Sequence, residues 1–128
     1  MEHLTVLLVD PSRDQREMYS DALHHAGFVV IECPNGRYAF DLACHVRLTA
    51  IVTEVGSNHA GSSWELIERL RTDDRTSAVP IIALGSRQPT AERERSKASG
   101  ASEYFHTPLL PDELVKAIHR VADGSRDG

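Results

Sequence analysis

At 128 residues the chain has the length of one domain, enough to bury about two-thirds of the surface its unfolded form exposes. Apolar residues make up 41%, charged residues 26%, and the formal net charge is -5, an ordinary globular balance without the basic stripe that direct nucleic-acid binding requires. No apolar run approaches the ~20 residues of a membrane span, so neither a membrane nor nucleic acid is an expected partner.

Leu4 to Val9 is a nearly unbroken apolar run ending at Asp10-Pro11, as expected for a central strand covered on both faces. Ser12 or Asp10 can cap a helix from Arg13 to Ala26, whose Met18, Tyr19, Ala22, Leu23 and Ala26 fall at helical spacing, and Gly27 stops it. Phe28 to Cys33 is a second strand, and Pro34-Asn35-Gly36 turns into a helix from Arg37 to Val46. A third strand, Ala50 to Val55, leads through a Gly/Ser/Asn loop to a helix marked by Trp64, Ile67, Leu70 and Arg71. Pro80 to Leu84 is the fourth strand, Thr90 to Ser99 a charged helix stopped by Gly100, and Glu103 to His106 the fifth strand. Pro111 opens a last helix with Leu114, Val115, Ile118 and Val121 facing the core.

Five strand-helix units of this kind predict an α/β fold: a three-layer α/β/α sandwich with a five-stranded parallel sheet of flavodoxin-like topology. It occupies residues 1–123, with 124–128 reading as a tail or the start of a linker. In such sheets the functional crevice lies outside the carboxyl ends of the strands, where strand order reverses. The residues to weigh are therefore Asp10, Glu54, Gly85 and Thr107. Cys33 and Cys44 form no CxxC pair and have no histidine at metal spacing. With no signal peptide apparent, they read as reduced core thiols of a cytoplasmic protein.

Val6-Leu7-Leu8-Val9-Asp10, Pro80-Ile81-Ile82-Ala83-Leu84, Gly100-Ala101-Ser102-Glu103-Tyr104 and Thr107-Pro108-Leu109, in that order and spacing, resemble a response-regulator receiver domain over Leu4 to about Ala122. The resemblance implies a bacterial two-component (phosphorelay) role. In the family two acids after the first strand hold Mg²⁺ with a phospho-accepting Asp after the third. A Thr or Ser after the fourth strand and a Lys before a Pro after the fifth contact the phosphoryl oxygens. Carried over by position, the first acid is Asp10, but the second is Pro11, the acceptor Glu54, the hydroxyl Gly85 and the lysine Thr107.

Those departures bear directly on the chemistry. Mg²⁺ needs near-octahedral oxygen ligation, and Pro11 offers no side-chain oxygen, so Mg²⁺ binding is expected weak or absent and no other cofactor is implied. The extra methylene of Glu54 displaces an attacking oxygen by roughly a bond length, which can cost about 10²-fold. Without a lysine or Mg²⁺, the charge on a transferring phosphoryl group goes unneutralised. Glu54 is then either a phosphate mimic or a drifted residue. A mimic would be imperfect, because Glu carries one charge where a phosphoryl group carries about two.

The resemblance also places Tyr104 as the family's switch aromatic, on the face made by the fourth helix, fifth strand and fifth helix; a plain edge aromatic is the other reading. Ser86 can partly substitute for the hydroxyl missing at Gly85, and Thr107-Pro108 resembles the family's cis peptide bond. Strand alternation turns His106 and Tyr104 away from a pocket that Thr107 faces, which argues against a His/Asp/Glu metal site. His24-His25 and His45 fall at helix ends, where imidazole complements the dipole, and His59 and His119 read as surface residues. Glu92, Arg93, Glu94, Arg95 and Lys97 read as a solvated face or a charge-based recognition surface. Trp64 is either partly buried against a neighbouring helix or an exposed anchor.

The function expected is a non-enzymatic interaction module, an atypical receiver contacting a histidine kinase or output domain. The alternatives are a receiver accepting phosphate at a non-standard residue and, more remotely, a metal-dependent hydrolase on the same scaffold.

Overall fold

The computed structural model describes residues 4–56 and 63–127. Among them the elements run β1 (Thr5–Val9), α1 (Arg13–His25), β2 (Val29–Cys33), α2 (Gly36–His45), β3 (Ala50–Glu54), α3 (Ser63–Thr72), β4 (Ile81–Gly85), α4 (Pro89–Ser99), β5 (Glu103–His106) and α5 (Pro111–Asp127). Every predicted strand and helix is present within a residue or two. α5 continues through Gly124 to Asp127, where composition had suggested a tail. Most of the loop between β3 and α3, including His59, lies outside the described residues.

The strands form one parallel sheet in the order β2-β1-β3-β4-β5. Burial follows that order. Central β1 and β3 are apolar on both faces, with Val6 to Val9 and Ala50 to Val52 buried, whereas edge strand β2 leaves Val29 exposed. Helices cover both faces, giving three layers. Val6, Leu8, Val52, Ile82 and Leu84 pack against Tyr19 and Leu23 of α1 and Leu114 and Ile118 of α5. Leu7, Val9, Ile51, Ile81 and Ala83 pack against Ala39 and Ala43 of α2 and Leu66, Ile67 and Leu70 of α3. Each fully buried Leu or Ile contributes about 1.5–3 kcal/mol, so these two clusters supply most of the force that holds the layers together.

Helix ends are set locally. The Ser12 side chain accepts from the Gln15 amide at 3.3 Å and Asn35 from the Arg37 amide at 3.0 Å, starting α1 and α2. Gly100 ends α4 in the left-handed region at φ 117, and its carbonyl accepts from Arg71 Nε at 2.7 Å. Arg71 also donates to the carbonyls of Val79 (2.6 Å) and Ser77 (3.1 Å) and to Ser102 Oγ (3.2 Å). One side chain on α3 thus joins the end of α4 to the entrances of β4 and β5.

Candidate functional site

Parallel pairing of β1 with β3, β3 with β4 and β4 with β5 sets their carboxyl ends side by side. Asp10, Glu54, Gly85 and Thr107 therefore share one rim, as the topology predicts. Asp10, Gly85 and Thr107 are buried and Glu54 half-buried, while Pro11, Ser86 and Pro108 are exposed around them. The Thr107-Pro108 bond is cis.

On the β1 side Asp10 is fully enclosed, and both its oxygens are engaged. Oδ1 accepts from the Ser12 amide at 2.8 Å and Oδ2 from Gln15 Nε2 at 2.6 Å. Arg16 Nη1 donates to the Asp10 backbone carbonyl at 2.8 Å, while its Nε reaches Glu32 at 3.2 Å. Burial pushes the Asp10 carboxyl above the usual carboxylate range, an effect only partly offset by the Ser12 amide, Gln15 and the Arg16 charge. The retained acid is built into the start of α1.

On the β4-β5 side the structure corrects two expectations. Glu92 does not belong to the solvated face of α4: it is 6% exposed, and Ser96 and Ser99 continue a buried polar stripe at helical spacing. Tyr104 is buried as well, and its hydroxyl reaches back toward the rim, donating to Glu92 Oε1 at 2.8 Å. Strand alternation correctly turns its ring from Thr107, but the length of the side chain brings the hydroxyl to Gly85. The Arg87 amide also donates to Glu92 Oε1, at 3.4 Å.

The Glu92 carboxylate lies in a notch between two glycines. A Cβ at Gly85 would meet Glu92 Oε1, with Glu92 Cδ 2.9 Å and the Tyr104 hydroxyl 2.7 Å away. One at Gly56, whose φ of 86 already favours glycine, would meet Glu92 Oε2, with Cδ at 3.1 Å. Burial first, and the hydrogen bond to Glu92 second, hold the Tyr104 phenol above the ordinary tyrosine range.

The other predicted residues sort by exposure. Arg93 and Arg95 are exposed on α4, with Arg93 stacked 5.1 Å over the Tyr104 ring and Arg95 5.0 Å over the half-buried Trp64. Thr107 turns from the rim to the backbone, its hydroxyl donating to the Gly85 carbonyl at 3.2 Å and its amide at 2.7 Å. Ser86 is exposed and Glu92 takes the space at Gly85. His106 is exposed at the end of β5. Sequence reasoning missed Gln15, the Arg87 amide and the pairing of Gly56 with Gly85. Only the glycines carried a signal, as two small residues at adjacent strand ends.

The donor set does not match the Mg²⁺ site of the resembled family. Each Asp10 oxygen already accepts a hydrogen bond, Pro11 supplies no side-chain oxygen, and among the described residues no group of three or more His, Cys, Asp or Glu could hold a metal ion. Also among the described residues, no helix is long and apolar enough to cross a membrane.

Residues 6–119 match the family model for the response regulator receiver domain. The phosphate regulon transcriptional regulatory protein PhoB of Pseudomonas aeruginosa is 30% identical over 91% of this chain, which spans only 51% of that protein. The polar-differentiation response regulator DivK of Brucella anthropi is 24% identical over 89% of this chain and 92% of its own length. Among solved structures, chemotaxis response regulator CheY4 of Vibrio cholerae superposes with a TM-score of 0.84 at 28% identity, covering 94% of this chain and 99% of CheY4. With the parallel sheet, the crevice at its strand ends and a match spanning nearly the whole fold, this chain belongs to the response-regulator receiver domain family of two-component signalling.

Proposed function

We propose that this receiver works as an atypical protein-interaction module, without conventional aspartyl phosphorylation. The observation that carries the reading is the Glu92 carboxylate, seated in the notch at Gly85 on the rim that a receiver uses to sense a phosphoryl group. A second anion arriving there would meet a buried negative charge instead of a lysine and a hydroxyl, and like charges at that distance oppose each other strongly. The hydrogen bonds that Ser12 and Gln15 already make to the two Asp10 oxygens compete with Mg²⁺ for the remaining anchor.

Receivers contact histidine kinases and output domains, and the surface proposed for such a contact here is the α4-β5-α5 face. It exposes Arg93, Arg95 and Lys97 on α4 and the ion pair between Arg120 of α5 and Glu103 of β5, at 2.7 Å. Charges of this kind set specificity and encounter rate more than affinity. With Tyr104 inward, the face presents the Arg93 guanidinium over a covered ring.

Incubation with a small phosphodonor and Mg²⁺, followed by intact mass, tests the reading. The expected spectrum is unchanged. A stable gain of about 80 Da, one phosphoryl group, that disappears in Glu54→Ala would establish the alternative, a receiver phosphorylated at a non-standard residue.

A further inference from the structure

We propose that Glu92 is the resident ligand of the notch between Gly56 and Gly85, and that by filling it Glu92 fixes Tyr104 in the buried position with no phosphoryl group bound. The inference rests on the reading above and names how the site is set.

Four observations converge on it. Glu92 is buried although its helix neighbours Arg93, Glu94 and Arg95 are exposed, and a carboxylate is rarely enclosed unless it is paired. The two glycines leave room for the carboxylate and for little else, since a Cβ at either position collides with it. Its Oε1 accepts from both the Tyr104 hydroxyl and the Arg87 amide, so one atom joins α4, the β4-α4 loop and β5. Finally, α4 has almost no apolar contact face. Its buried stripe is Glu92, Ser96 and Ser99, and Ser96 Oγ has no hydrogen-bond partner among the described residues. A helix held this way relies on the few polar bonds it makes, and Glu92 makes the central one.

Tyr104 is gripped from both sides. Glu92 holds the hydroxyl, while the Arg93 guanidinium stacks on the ring and its Nη1 donates to the Tyr104 carbonyl at 3.4 Å. The phosphoryl-sensing hydroxyl and lysine positions are Gly85 and Thr107 here, so neither can hold this aromatic inward through a bound phosphoryl group. An acid four residues into α4 holds it instead, and the inward position becomes the resting one.

Tyrosine-labelled protein tests the proposal, with Tyr104→Phe assigning the Tyr104 ring resonances among those of Tyr19, Tyr38 and Tyr104. In the unmodified wild type the ring is expected in a single buried environment. In Glu92→Ala its resonances shift toward exposed values and its alkaline midpoint falls toward the ordinary tyrosine value of about 10. Glu92→Gln keeps a carbonyl acceptor and retains the wild-type resonances. Gly56→Ala attacks from the other side: its Cβ meets the Glu92 carboxylate, with Cδ at 3.1 Å and Cγ at 3.8 Å, and gives the same Tyr104 shift with Glu92 still present. A Tyr104 ring that stays at its wild-type position in either Glu92→Ala or Gly56→Ala overturns the proposal, as does a ring already averaging between environments in the wild type. A phosphoryl gain in the mass experiment would overturn the proposed function and leave this result standing.

Discussion

Arg71 carries more of the architecture around α4 than any apolar residue of that helix, and Arg71→Met measures how much. Methionine keeps the unbranched stem and removes the donors. Two of the four bonds are short and partly enclosed, to Val79 O at 2.6 Å and Gly100 O at 2.7 Å. At about 1.5 kcal/mol each, the lower end for charged donors, they contribute roughly 3 kcal/mol. The bonds to Ser77 O and Ser102 Oγ are exposed and add little. Burial of the guanidinium lowers its pKa, and the relief of that desolvation returns a fraction. The net loss is about 2 kcal/mol, a large share of the ~5–15 kcal/mol that stabilises a typical domain. With a urea slope of about 1–3 kcal/mol/M, the unfolding midpoint drops by roughly 1 M at unchanged slope. Arg71→Lys recovers little, because an ammonium cannot reach four acceptors placed for a planar fork. Arg13→Ala, which breaks an exposed pair with Glu17, leaves the midpoint where it is. An Arg71→Met midpoint within error of the wild type would refute the assignment of α4's anchorage to this residue.

Three further outcomes follow from the same reasoning. Tyr19→Phe removes a fully buried hydroxyl that donates to the Leu109 carbonyl at 2.9 Å and accepts from its amide at 3.3 Å, and chemical denaturation should register a loss of about 2 kcal/mol with no cavity formed. Gly100→Ala forces a side chain into φ 117 and against Arg71 Cγ at 2.5 Å, so a loss of about 2 kcal/mol is expected, part of it shared with Arg71→Met in a double-mutant cycle. Asp10→Asn should stabilise the fold at pH 7, and that gain should shrink as the pH falls toward 3.8. Because burial raises the folded carboxyl above its unfolded value of 3.8, the folded state holds its proton longer, and stability falls as pH rises through that window; a gain independent of pH would contradict this.

The parts of the fold governed by hydrophobic pattern were legible in the sequence. Leu4 to Val9 and Pro80 to Leu84 read as strands because a centrally placed parallel strand must be apolar on both faces. Once the alternation of strands and helices implied a parallel sheet, Asp10, Glu54, Gly85 and Thr107 followed as strand-end residues. What the pattern could not reveal was polar burial. Glu92, Ser96 and Ser99 occur at the helical spacing of a buried stripe, but a search for apolar periodicity passes over them, and the alternating charges nearby suggest a solvated face. Met18 errs the other way: it keeps helical spacing with Tyr19 and Leu23 and yet is 44% exposed, at the margin of the apolar stripe. Arg71 was recognised as marking its helix, but four bonds to carbonyls and a hydroxyl as far along the chain as Ser102 exist only after β4 and α4 have packed. Strand alternation gave the side of the sheet on which Tyr104 lies, and side-chain length decided where its hydroxyl ends.

The proposed role of Glu92 closes the strand-end pocket to a phosphoryl group with the chain's own carboxylate. Amide spectra of the wild-type protein, recorded as Mg²⁺ and the phosphoryl analogue beryllofluoride are added together, test it most directly. With the pocket closed, the amides of Gly85, Arg87, Tyr104 and Thr107 keep their positions throughout. A saturable shift of those amides would contradict it.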